Sequence, residues 1–118
     1  MAKNRETGIS GEKQAVEFLK NKGYEIAFIN WKGEGCEIDI IAREGKTWIF
    51  VEVKTRSSTG FGWPEHAVNK TKKQHIIRAV DAFLYQNKID EEIRFDIISI
   101  IKKGEEYDIY HIEDAFVS

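Results

Sequence analysis

The chain has 118 residues, 42% hydrophobic and 32% charged, enough for one globular domain with a real core and too few for a second. No stretch approaches the ~20 apolar residues of a membrane span, and the start Met1-Ala2-Lys3-Asn4-Arg5-Glu6 lacks an apolar signal segment, so no membrane partner and a cytoplasmic location are expected. A net charge of −2 falls short of the positive excess common in nucleic-acid-binding domains, and the single cysteine, Cys36, excludes an intramolecular disulfide.

From Ser10-Gly11-Glu12 to Asn21-Lys22-Gly23 the chain reads as a helix closing at Gly23, with Ile9, Glu12, Val16 and Leu19 on its inward row. Glu12 thus falls among apolar neighbours; it reads equally as a helix-start carboxylate held by the dipole and backbone amides. Tyr24 to Trp31 reads as a strand, followed by a Lys32-Gly33-Glu34-Gly35 turn.

Two strand-like runs come next, Cys36-Glu37-Ile38-Asp39-Ile40-Ile41-Ala42 and Trp48-Ile49-Phe50-Val51-Glu52-Val53-Lys54, joined by the polar turn Arg43-Glu44-Gly45-Lys46. In the second run Trp48, Phe50, Glu52 and Lys54 share one face while Ile49, Val51 and Val53 share the other. Both faces are largely apolar, the pattern of an inner strand covered on both sides, where an uncompensated charge is costly. A divalent cation held between carboxylates would compensate Asp39 and Glu52. With Glu44-Gly45 as the loop, Asp39 opposes Phe50 and Glu52 lies diagonally across on the same face; a shift of two keeps that face, a shift of one reverses it, and the apolar pattern alone leaves both open.

Ser57 to Pro64 is loop by composition, with Phe61 and Trp63 flanked by glycines. Thr71-Lys72-Lys73-Gln74 has capping-box form and opens a helix with the apolar stripe Ile76, Ile77, Val80, Phe83 and Leu84. Its basic cluster of Lys70, Lys72, Lys73 and Arg78 could contact phosphates, or could be a solvated helix face. Phe95 to Ile101 and Tyr107 to Ile112 read as two last strands around a Lys103-Gly104 turn. The order α-β-β-β-α-β-β specifies an α/β fold, a mixed β-sheet flanked by helices. His66, His75 and His111 lack ligand spacing, which argues against zinc.

Asp39 followed a dozen residues later by Glu52-Val53-Lys54 resembles the active-site signature of the PD-(D/E)xK nuclease superfamily. Together with Gly11-Glu12, Asn30-Trp31, Glu37 to Ile41, Phe50 to Arg56, Ala67-Val68, Lys73-Gln74 and Arg94-Phe95-Asp96, it is similar to the YraN-like family of small bacterial proteins, which resembles Holliday-junction resolvases. The likeness runs from about Gly8 to Ile98, and the superfamily's proline before the metal-binding aspartate is Ile38 here.

The resemblance implies a restriction-endonuclease-like domain over residues 1–118 and a metal-dependent endonuclease acting on DNA, selective for structure over sequence. Asp39 and Glu52, with the Val53 carbonyl, would bind Mg²⁺ or Mn²⁺; Lys54 would orient water or steady phosphate charge, and Glu12 would reach in from the first helix. Arg56, Lys70, Lys72, Lys73 and Gln74 would meet nucleic acid, with Gln74 also explained by the capping box. A non-catalytic nucleic-acid-binding module with a retained nuclease fold is the alternative, and a homodimer is among the expected assemblies.

Overall fold

The computed structural model describes the backbone of residues 2–57 and 70–115 and the side chains of residues 11–56 and 71–115. The expected loop from Ser57 to Pro64, with Phe61 and Trp63, and the pair Ala67-Val68 lie outside the described residues, apart from the backbone of Ser57. The elements follow the order α1 (Ala2–Asn21), β1 (Glu25–Gly33), β2 (Cys36–Glu44), β3 (Thr47–Ser57), α2 (Lys70–Gln86), β4 (Ile93–Lys103) and β5 (Glu106–Ile112). This is the α/β order read from the sequence, with α1 extending eight residues further towards the N-terminus than expected.

The five strands form one sheet in sequence order, β1-β2-β3-β4-β5. Neighbours are antiparallel except β3 and β4, which run parallel, so the chain must cross the sheet between them, and α2 provides that crossing. β3 is the central strand, as apolar residues on both of its faces required.

The helices cover opposite faces of the sheet. Ala15, Val16 and Leu19 of α1 pack with Tyr24, Ile40, Ala42, Ile49, Val51, Ile98 and Ile100. Ile76, Ala79, Val80 and Phe83 of α2 pack with Ile38, Ile41 and Phe50. Each large apolar side chain buried here contributes about 1.5–3 kcal/mol. Phe83 anchors the second layer: Phe28, Trp31, Trp48 and Phe50 meet its ring edge-on at 5.3–5.7 Å between centroids. α1 ends as the sequence indicates, with the Tyr24 amide donating to the Leu19 carbonyl (3.0 Å) and the Gly23 amide to Lys20 (2.9 Å), a Schellman pattern closed by Leu19–Tyr24 packing.

The β2–β3 hairpin differs in register from the first expectation. Glu44 pairs with Thr47 and Arg43 with Trp48, so Gly45-Lys46 is the loop. Gly45 sits at φ 63°, the first-position glycine of a type II′ turn, which explains why the turn forms one residue later than a Glu44-Gly45 loop. The pairing moves by two, which keeps the parity of the ladder as far as its last pair, Ile40↔Val51.

Candidate active site

The β2–β3 ladder stops at Ile40↔Val51, yet both strands continue. β2 stays paired with β1 through Trp31↔Ile38 and Gly33↔Cys36, and β3 stays paired with β4 through Glu52↔Ile97 to Ser57↔Lys102. The two central strands therefore part immediately before Asp39 and Glu52. Alternation also breaks there: Ile38 and Ile41 both pack beneath α2, although an odd spacing should place them on opposite faces. Backbone groups along the parting lose their ladder partners and become available to side chains.

Asp39 exploits that opening. Its Oδ2 accepts a hydrogen bond from the Val53 amide at 2.8 Å. The Glu52 carboxyl lies close to it, and two neighbouring carboxyl groups disfavour ionising together. Burial first, then the Glu52 carboxyl beside it, push the Asp39 pKa up to about 7, against the opposing pull of the Val53 amide and Lys72. Glu52 is the more enclosed partner, at 6% exposure on a strand whose neighbours Phe50 and Val51 are buried.

Both helices reach this gap. From α2, the Lys72 ammonium lies 3.1 Å from Glu52 Oε2. Burial alone would lower the Lys72 pKa, but Glu52, Asp39 and Glu37 together raise it. From α1, Glu12 lies within electrostatic reach of Asp39 and Glu37; burial, and then those carboxylates, raise its pKa against the opposing pull of the Asn30 side chain. Asn30 has φ 56°, a left-handed conformation that asparagine tolerates better than most residues. Gly11 makes the approach of α1 possible: a Cβ there would collide with Thr55 Oγ1 on β3, so only glycine lets the helix lie this close to the strand beyond Glu52.

Lys54 is half-buried two residues beyond Glu52, paired in register with Ser99 of β4, and Arg56 follows on the same face. On α2, Lys73 is half-buried, Gln74 is exposed, and Lys70 is the first helical residue; α2 as described begins before Thr71, which places Thr71 within the helix instead of at its N-cap. The structure thus brings together Asp39, Glu52, Val53, Glu12 and Lys72, and puts Lys54 and Arg56 further along the same strand. Val53 meets Asp39 through its amide. The contact of Lys72 with Glu52 joins different elements, and no spacing within one segment signals it.

A second buried carboxylate has a different environment. Asp96 of β4, 1% exposed, receives Arg94 Nε and Nη2 at 2.9 and 2.8 Å, the Asp114 amide at 3.0 Å and His111 Nε2 at 2.7 Å. Lys22 Nζ lies 2.9 Å from His111 Nδ1; an ammonium can only donate, so Nδ1 accepts and Nε2–H points at Asp96. Arg94 Nη2 also donates to the Tyr24 hydroxyl at 2.7 Å. Burial opposes ionisation of Asp96, but these donors prevail and hold its pKa below the usual value. This centre ties β4 to β5 and to the end of α1, and the sequence reading had quoted Arg94 and Asp96 without assigning them that role.

Among the described residues no group of three or more His, Cys, Asp or Glu side chains converges as a metal cage. Mg²⁺ does not require one, since it commonly takes one or two carboxylates and retains several waters. The Asp39–Glu52 pair fits that requirement: the two carboxyls are neighbours, Glu52 is enclosed, and Asp39 resists ionisation beside it, the chemistry of a donor set that a hard cation would suit.

The raised Asp39 pKa has a measurable consequence. A carboxyl whose pKa is higher folded than unfolded contributes stability that is complete below the unfolded value, about 3.9, and is lost as pH rises through about 7. In chelator, the melting temperature should therefore fall from about pH 5 to about pH 8.5, reflecting at most a few kcal/mol at ~1.4 kcal/mol per pKa unit. A metal-free melting curve that is flat or rising over that interval would contradict the raised Asp39 pKa.

Fold and site together define the class: an α/β protein with a nuclease-like mixed sheet whose central strands part around a pair of acids. The chain belongs to uncharacterised protein family UPF0102, whose family model matches residues 11–100. That is the YraN-like family which the sequence resembles. A UPF0102 protein of Flavobacterium psychrophilum is 47% identical over 116 residues, covering 98% of both chains. Another from Caldicellulosiruptor saccharolyticus is 46% identical over 115 residues, covering 95% of this chain and 98% of the relative. A third, from Alkaliphilus oremlandii, is 46% identical over 116 residues, covering 96% and 99%. No described helix is long and apolar enough to cross a membrane.

Proposed function

We propose that this chain is a metal-dependent endonuclease hydrolysing DNA phosphodiester bonds, selecting by structure over sequence, within a cytoplasmic setting. One observation carries the reading: the Asp39 carboxyl lies beside the enclosed Glu52 carboxyl where the central strands part, an arrangement that disfavours ionisation of both and suits a divalent cation. Asp39 and Glu52 would hold Mg²⁺ or Mn²⁺, which supplies charge neutralisation on the phosphate and a bound water acidic enough to attack near neutral pH. The Val53 amide keeps Asp39 oriented, and Lys54 on the Glu52 face steadies charge developing on the phosphate. Glu12 adds negative charge on the α1 side, where it would orient water or a second cation.

A non-catalytic nucleic-acid-binding module is favoured by one contact, the Lys72–Glu52 ion pair, which gives Glu52 a partner within the chain. Calorimetric titration with Mn²⁺, followed by incubation of branched and linear DNA with protein and Mg²⁺, separates the two. The nuclease reading expects heat of binding and metal-dependent nicking of branched DNA. Binding to DNA without metal uptake or cleavage supports the module instead.

DNA would be held through phosphates by the basic residues of α2, without base preference. Replacing Lys70 and Lys73 together by Glu should weaken binding of branched DNA and flatten its salt dependence by roughly 0.7–0.9 log units per lost contact. Lys72 is left out of that variant because its contact with Glu52 would confuse the readout. An unchanged salt slope would remove α2 from the DNA surface.

A further inference from the structure

We propose that Lys72 is the internal counter-ion of the acidic pair, and that a divalent cation and the Lys72 ammonium compete for Glu52. The inference rests on the reading of Asp39 and Glu52 as a cation site and assigns Lys72 a different role from phosphate contact. Its basis is an asymmetry within the ion pair: the Glu52 side chain is 6% exposed, whereas that of Lys72 is 45% exposed. The acceptor is fixed in the strand and enclosed, while the donor reaches it on a long arm from the first turns of α2 with much of its length in solvent.

An ammonium 3.1 Å from Oε2 occupies lone pairs that a metal would need, and both cannot be satisfied by the same oxygen at full strength. Lys72 has somewhere to go. A cavity of about 180 Å³, lined by Gly35, Cys36, Glu37, His75 and Ile76, adjoins Lys72 itself. The Glu37 carboxylate there already acts on the ammonium. Lysine suits this exchange better than arginine, because a compact ammonium on a flexible stem gives up one carboxylate more readily than a planar, bidentate guanidinium. Lys72 is thus a positioning residue: it holds Glu52 in place before metal arrives and sets the affinity threshold for loading.

The test compares the whole protein with Lys72→Met and Lys72→Arg by calorimetric titration of Mn²⁺, with melting in chelator as a second readout. Lys72→Met should bind Mn²⁺ about five-fold tighter, the size expected from removing a competing, partly exposed ion pair. In chelator it should melt lower than the wild type, because buried Glu52 loses its partner, and Mn²⁺ should close that gap. Lys72→Arg should bind Mn²⁺ more weakly than the wild type. A structural or phosphate-binding role predicts no such reversal between the two variants. Equal affinity in all three proteins overturns the competition while leaving the metal site intact; absence of binding to all three removes the metal site and the competition with it.

Discussion

Asp39→Asn should raise the melting temperature in chelator at about pH 8 while abolishing metal-dependent behaviour. Asparagine removes the charge beside Glu52, and its oxygen can still accept from the Val53 amide, so that contact persists without repulsion. Relief of that repulsion should contribute on the order of 2 kcal/mol, or roughly 5–10 °C for a chain of this size. The wild type should recover the difference when Mn²⁺ is added, since metal at ~100 times its Kd stabilises by about 2.7 kcal/mol. The variant should not respond. Its affinity for Mn²⁺ should fall by more than the ~10–100-fold lost when groups that merely support a ligand are removed, and cleavage should fall with it. A variant that melts many degrees below the wild type in chelator would make Asp39 a structural partner and end the metal-site reading.

The opposite outcome is expected at the other buried aspartate. Asp96→Asn should destabilise by about 3–5 kcal/mol, because Arg94 and His111 would face an amide group in place of a charge they surround. The melting temperature should drop by roughly 10–20 °C, and Mn²⁺ should not restore it. The pH dependence carries the opposite sign as well. Asp96 has a depressed pKa when folded, so its contribution is present above the unfolded value of about 3.9 and is lost as pH falls through the folded value. The wild type should thus lose stability on acidification through this residue, and the variant should lack that acid limb. A melting temperature within about 2 °C of the wild type would mean that the network around Asp96 is a consequence of the fold and not a support for it.

The contrast between these two aspartates marks the boundary of sequence reasoning here. Asp39 lies between Ile38 and Ile40, and Asp96 between Phe95 and Ile97. A rule that charge inside an apolar strand demands a function selects both. Only the surroundings distinguish them: Asp96 is enclosed by donors from Arg94, His111 and the Asp114 amide, while Asp39 lies beside a second acid. The first arrangement satisfies a buried charge, and the second sets two carboxyls against each other.

The order of elements was legible from the chain alone, because it depends on local patterns: the 3.6-residue stripe Ile76, Val80 and Phe83, the two-residue alternation of β3, and Gly45 in a two-residue turn. Apolar residues on both faces of β3 also identified it as an interior strand. The relation of Asp39 to Glu52 was readable only to within a choice of registers, since alternation repeats every two residues and the apolar pattern tolerates either parity. Tertiary structure decided the rest. Where the β2–β3 ladder ends, that Val53 contributes its amide, and that Lys72 reaches Glu52 from another layer all depend on strands and helices meeting in space. Local periodicity determines which face a residue presents; which residue it meets there depends on packing between elements far apart in the chain.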